Sequence, residues 1–166
     1  MTPRLPTRLL VTLTLTGSLF NSAYAADYME QGERIKGRSY SPAVVTEGGR
    51  TVWLAGETTI TDLQGKDIKG DFEAQTRTIF ALIEQTLKRA GGSLKDIVTM
   101  TAYLTDARNG GTFAKVRTEM FPDRNFPASA QITVANLAVP GMLVEIQAVA
   151  VIGDKCAKGS SPCIPR

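Results

Sequence analysis

One carboxylate stands inside an apolar run near the C-terminal end: Glu145, in "LVEIQAVAVI" (143–152). Nine residues before that run, "FPASAQITV" (126–134) places Ser129 and Gln131 at alternate positions after Pro127. Two more polar groups adjoin apolar runs. Tyr40 sits in "GRSYSPAVV", and Glu57 follows Ala55 and Gly56 directly after "TVWL". A carboxylate partly withdrawn from water can have its pKa raised toward the working range, orient a water molecule and accept its proton. A buried charge without a partner is costly, so a lone glutamate in a strand calls for a partner or a task. Glu145 is therefore the candidate catalytic residue. Ser129 and Gln131 suit neutral pocket lining better than catalysis, since no neighbouring base activates the serine as a nucleophile.

The chain contains no histidine. That removes histidine triads, histidine general bases and nearly every zinc arrangement, and no metal site is expected. The two cysteines, Cys156 and Cys163, lie in the tail "CAKGSSPC". In an oxidising compartment a disulfide between them is the plain expectation.

Export is the reading of the N-terminus. "MTPRLPTR" is basic, "LLVTLTLTGSLF" is apolar, and "AYA" ends in small residues, so residues 1–25 read as a signal peptide cut before Ala26. The apolar stretch falls short of the ~20 residues that span a bilayer, so no membrane attachment is expected after cleavage. A periplasmic or secreted protein follows from this. Arg4 and Arg8 leave with the leader, which lowers the formal charge from +3 to +1. With no Lys/Arg cluster interleaved with aromatics, a nucleic-acid partner is not expected.

The elements that must position these residues follow from periodicity. "AVVT" and "RTVWLA" read as a hairpin turned by Gly48 and Gly49. "GETTITDLQGKDIKG" reads as an irregular connection. From Asp71, a good N-cap, Phe72, Thr76, Ile79, Phe80, Ile83 and Leu87 share a helical face that ends at "AGG". "DIVTMTAYLTD" alternates, with Val98, Met100, Ala102 and Leu104 on one side. "TFAKVRTEMF" predicts a second helix with Phe113, Val116 and Met120 along its stripe, stopped by Pro122. Two strands close the chain. Their helix-facing rows are predicted to be Ala130, Ile132, Val134 and Val144, Ile146, Ala148, Ala150. The opposite rows, Ser129, Gln131, Thr133 and Glu145, Gln147, Val149, Val151, mix polar and apolar residues in a way that suits a subunit interface. The whole is one α+β domain over residues 26–153, a sandwich of a mixed β-sheet with two helices on one face, followed by the tail 154–166.

"GDFEAQTRTIFALIEQTLKRAGGSLKDIVTMTAYLTD" followed by "FPASAQITVANLAVPGMLVEIQAVAV" resembles the Rid/YjgF family over residues 40–152. The resemblance implies a chorismate-mutase-like fold assembled as a homotrimer. It also implies ligand pockets between subunits, no metal or organic cofactor, and hydrolysis of reactive enamines and imines. Glu145 matches the family glutamate that positions the attacking water, and Tyr40 lies where a pocket tyrosine is usual. Elsewhere the site departs from the pattern. Ser129 stands where the deaminase subgroup carries an arginine that clamps the substrate carboxylate. Gln131 replaces a common cysteine, and Ala55, Gly56 and Glu57 replace serine, glycine and glutamine. Without that arginine, carboxylate-bearing 2-imino acids are expected to bind poorly, and the cleft to suit a neutral or cationic small molecule. Arg38 and Arg124 are the cations near enough in sequence to substitute. Beside an imine hydrolase stands the alternative of a trimer that binds a small ligand without chemistry, or is purely structural.

Overall fold

A computed structural model describes residues 26–154 and Cys156. The segment 1–25, Cys163 and the rest of the tail lie outside the described residues.

The secure helix forms as its pattern demands. Helix α1 (Phe72–Arg89) starts at Asp71, whose carboxylate accepts the Ala74 N–H at 3.0 Å. It stops at Ala90, after which Gly91 takes φ +82°. Its buried face carries Phe72, Thr76, Ile79, Phe80, Ile83 and Leu87. Helix α2 (Gly110–Met120) buries Phe113, Val116 and Arg117. Phe80 stacks on Phe113 and meets Phe121 edge-on, and Phe121 meets Phe126 in turn, with centroids 6.2–6.5 Å apart. This chain of rings ties both helices to the segment entering the fifth strand, and offset or edge-on pairs of this kind favour one packing over others.

Among the described residues there are six strands: β1 (Asp27–Tyr28), β2 (Val44–Val45), β3 (Arg50–Trp53), β4 (Ile97–Leu104), β5 (Ala128–Thr133) and β6 (Val144–Ile152). A four-stranded sheet runs β3-β6-β4-β5, antiparallel except for the parallel β4/β5 pair. Both helices pack on one face of it, around Met100, Ala102, Leu104, Val144, Ile146, Ala148 and Ala150. The mixed sheet with one helical layer is as expected.

Three expectations about strands need correction. Gly48 and Gly49 do take positive φ, both +71°. The runs they join nevertheless form no hairpin, because β2 pairs with β1 and β3 pairs with β6. Val98 does not share a face with Met100: an irregularity between Ile97 and Thr99 sends Ile97 into the core and Val98 to the other side, against Ala26 and Val151. Such a bulge shifts the alternation by one residue. The faces of β5 are also reversed. Its register sets Ser129 beside Met100 and Gln131 beside Ala102, both core-facing, so Ala130 and Ile132 point outward, Ile132 being 44% exposed. A one-residue change of phase flips every side chain, and an edge strand flanked by a polar helix residue gives the alternation little to decide it.

The outer sheet face is only partly open. Tyr28 and Val44, from β1 and β2, cover Val149 and Val151, and the Tyr28 hydroxyl donates to the Lys95 and Ile97 carbonyls at 3.0 and 3.3 Å. That part of the row predicted to meet another subunit is closed by the chain itself. Glu145 and Gln147 lie beyond the cover.

Candidate functional site

Glu145 sits on the outer face of β6, opposite Tyr103 of β4. With Gly56, Val134, Asn136, Leu137 and Gln147 these residues line a recess of about 260 Å³. The backbone of Glu57 brings Gly56 here by a two-way hydrogen bond with Ile146, at 2.9 and 3.0 Å. Gly56 lies hard against the Glu145 carboxylate: a methyl group on its Cα would collide with Oε1 and stand 3.0 Å from Cδ. The carboxylate thus rests against bare backbone, its rotation limited on that side. Ala55 and Glu57, both expected in the pocket, do not line this recess. Burial nonetheless raises the Glu57 carboxyl pKa above its ordinary value.

Ser129 and Gln131 are not with Glu145. They point to the helical side of the sheet, where Gln131, Tyr40, Ser39, Arg38, Lys115 and Arg117 contribute to a second recess of about 380 Å³. The loop carrying Tyr40 is fixed by Gln31, whose amide donates to the Arg38 and Tyr40 carbonyls and accepts from the Gly37 N–H. Ser41 then joins the edge of β5 by a bridge to Ala128.

Arg117 is the residue that the sequence reading missed. It leaves the buried face of α2 one turn after Phe113 and is only 3% exposed. Its Nε and Nη2 donate to Ser39 Oγ at 3.1 and 2.9 Å, and Nη1 donates to Ser129 Oγ at 2.6 Å. The guanidinium carbon lies 5.2 Å from the Phe113 ring centre and 5.9 Å from that of Tyr40. Burial lowers its pKa to about 10, with Tyr40 acting in the opposite direction. A cation therefore stands next to the strand position where one was thought absent, supplied by a helix. The sequence held one signal for it: position 117 falls four residues after Phe113 and next to Val116, on the apolar stripe of α2. Of the other candidate cations, Arg38 lines the same recess, whereas Arg124 lies over the Phe126 ring at 5.8 Å.

The model of the family described as Endoribonuclease L-PSP matches residues 33–152. The chain belongs to this family, the Rid proteins. A RutC family protein of Pyrococcus horikoshii is 33% identical over 111 residues, 67% of this chain and 85% of the relative. Among solved structures, YyfB of Yersinia pestis, a Rid-family protein of unknown function, superposes with a TM-score of 0.62 at 27% identity, covering 69% of this chain and 87% of that one. RidA from an Antarctic Psychrobacter gives 0.53 at 32% identity, covering 68% and 88%. Homotrimers are typical of the Rid family. In this Rid chain Glu145 and Gln131 thus face opposite sides of one sheet, and within a single copy they line separate recesses.

Cys156 is buried at the end of the domain, where its N–H donates to Asp154 at 2.7 Å. Its expected partner, Cys163, is outside the described residues.

Proposed function

We propose that this Rid-family chain is exported, assembles as a homotrimer, and hydrolyses a small imine or enamine in clefts between subunits, with Glu145 positioning the water. The placement of Glu145 carries the reading: a carboxylate on the outer sheet face, braced by Gly56 and beside Tyr103. The assembly is supported by apolar groups left uncovered on that side of the sheet, Ile132 at 44% and Trp53 at 79% exposure. Surfaces of this kind favour association.

The reaction asks little of the protein. Water bonds to the carbon of the protonated C=N group while its proton passes to Glu145. The carboxyl then returns that proton to nitrogen, the C–N bond breaks as the carboxylate takes the hydroxyl proton and passes it to the departing ammonia, and a carbonyl compound and ammonium leave. No step requires a cofactor. A ribonuclease has less support, because the chain has no histidine and no basic groove was legible in the sequence. The exclusion of carboxylate-bearing imines expected from Ser129 is not part of this proposal, because Arg117 places a guanidinium on that serine.

The test is release of ammonia and carbonyl product from a freshly generated imine. Glu145→Gln should lose the rate and keep the fold. An unchanged rate would leave only the alternative, a trimer that binds its ligand without chemistry.

A further inference from the structure

The end of the domain where β1 begins holds a buried charge that packing alone does not account for. Asp154 is 6% exposed, yet among the described residues no ion pair includes it. Its carboxylate accepts the Cys156 N–H at 2.7 Å, the local bond of an Asx turn. It also reaches past the end of β2, where it accepts the Glu47 N–H at 3.1 and 3.2 Å. Backbone donors ease the burial of a carboxylate, but a buried ion without a counter-ion still bears a large desolvation cost. The nearby Tyr28 hydroxyl is kept protonated by burial first, and then by the negative charges of Asp96 and Asp154. A cation placed here would meet a field that favours it.

The strand ladder shows what lies beside that carboxylate. In antiparallel pairing, hydrogen-bonded residue pairs recur at every second position. The Met29 N–H donates to the Ala43 carbonyl at 3.1 Å, and Asp27 stands opposite Val45. The following donor on that side is the Glu47 N–H, and the acceptor that an unbroken ladder would offer it is the carbonyl bonded to the Ala26 nitrogen. Asp154 acts as the acceptor instead, so its carboxylate stands at the end of the ribbon where Ala26 enters. Ala26 is itself 2% exposed, packed against Val98 and Val151. It is also the first residue after the cut that the N-terminal sequence predicts. Proteolysis acts on exposed, poorly ordered chain, so a cut at this point precedes the docking of β1.

Cleavage adds water across the Ala25–Ala26 peptide bond, leaving a carboxylate on the departing leader and an amino group on Ala26 that is mostly protonated at neutral pH, its ordinary pKa being about 8. We propose that this ammonium pairs with Asp154, so that removal of the leader locks β1 onto the outer sheet face. The inference rests on the export reading and is independent of the hydrolytic one. Asp154 is then a partner kept for a charge that exists only in the mature chain. In the precursor the same nitrogen is an uncharged amide, and β1 is held by its short pairing with β2 and by the Tyr28 hydroxyl.

Acetylation of the exported, purified protein tests this, read by mass spectrometry of its N-terminal peptide. That peptide should begin at Ala26; another first residue would overturn the cleavage reading and this inference together. Acetic anhydride attacks only the unprotonated amine, and an ion pair that raises the amine pKa by one unit slows the reaction about tenfold. The Ala26 amine should therefore react at least about tenfold more slowly in the native protein than in urea, whereas the exposed Lys66 amine should react alike in both. Asp154→Asn, whose amide oxygen still accepts from Glu47 and Cys156, should lose that protection, with the near-ultraviolet circular dichroism spectrum checking its fold. An Ala26 amine as reactive in the native protein as in urea would sink the inference and leave the cleavage standing, even if Asp154→Asn does not fold. So would a folded Asp154→Asn that keeps the full protection.

Discussion

Arg117 Nη1 donates to Ser129 Oγ at 2.6 Å, joining a cation on helix α2 to strand β5. Ser129→Ala removes one charged hydrogen bond and should cost about 1.5–3 kcal/mol in urea unfolding. Ser129→Arg should be worse, because it sets a second guanidinium against the first. A Ser129→Arg protein as stable as the wild type would contradict the geometry.

Gly56→Ala tests the brace behind Glu145. Gly56 does not use a positive φ, so alanine brings no backbone strain there, only the collision with the Glu145 carboxylate. The side chain must turn away from its water position. The expected result is a loss of about tenfold to a hundredfold in kcat with the fold intact, on the scale of misplaced acid–base groups. Hydrolysis at the wild-type rate would show that the carboxylate orientation is immaterial.

Much of this architecture was legible in the sequence, and what was not has physical reasons. The face of α1 and the core row of β6 could be read directly, because each packs a continuous apolar stripe against one partner. The β5 faces could not, since Ser129 is drawn to the helical side by Arg117, a tertiary contact that no strand alternation encodes. Glu145 was found as a charge in an apolar run. Arg117 was hidden among the other charged residues of α2, although it occupies that helix's apolar stripe. The two-glycine turn was correct locally and still gave no hairpin, because β6 offered β3 a longer partner.

Gln75 holds the loop that leads into β6. Fully buried, it donates to the Ile68 and Gly141 carbonyls at 3.0 and 2.7 Å and accepts from the Leu143 N–H at 2.9 Å. Gln75→Leu leaves the Leu143 N–H without its acceptor, whereas the Ile68 and Gly141 carbonyls still accept from the Asp71 and Gly70 N–H groups. An unpaired buried group costs about 1–3 kcal/mol, and chemical denaturation should show a loss of about that size. A loss below about 1 kcal/mol would mean that water replaces the amide at no cost.

Glu57 gives a pH signature. Burial raises its folded-state pKa above the ordinary 4.5. The folded chain therefore holds that proton more tightly than the unfolded one, and the associated stability is full below the unfolded value and lost as pH rises through the folded value. Glu57→Gln, uncharged throughout, escapes that loss. Thermal melts should show the variant above the wild type near neutral pH, with the gap closing as the pH falls below 4.5. A gap that persists in acid would assign the effect to packing.

The central claim is that Glu145, on the outer sheet face beside Tyr103, positions the water for imine hydrolysis. Ammonia release from a freshly generated imine, compared between the wild type and Glu145→Gln, measures this directly. The account predicts a rate lost in Glu145→Gln with the near-ultraviolet circular dichroism spectrum unchanged. A variant that hydrolyses the imine at the wild-type rate would contradict it.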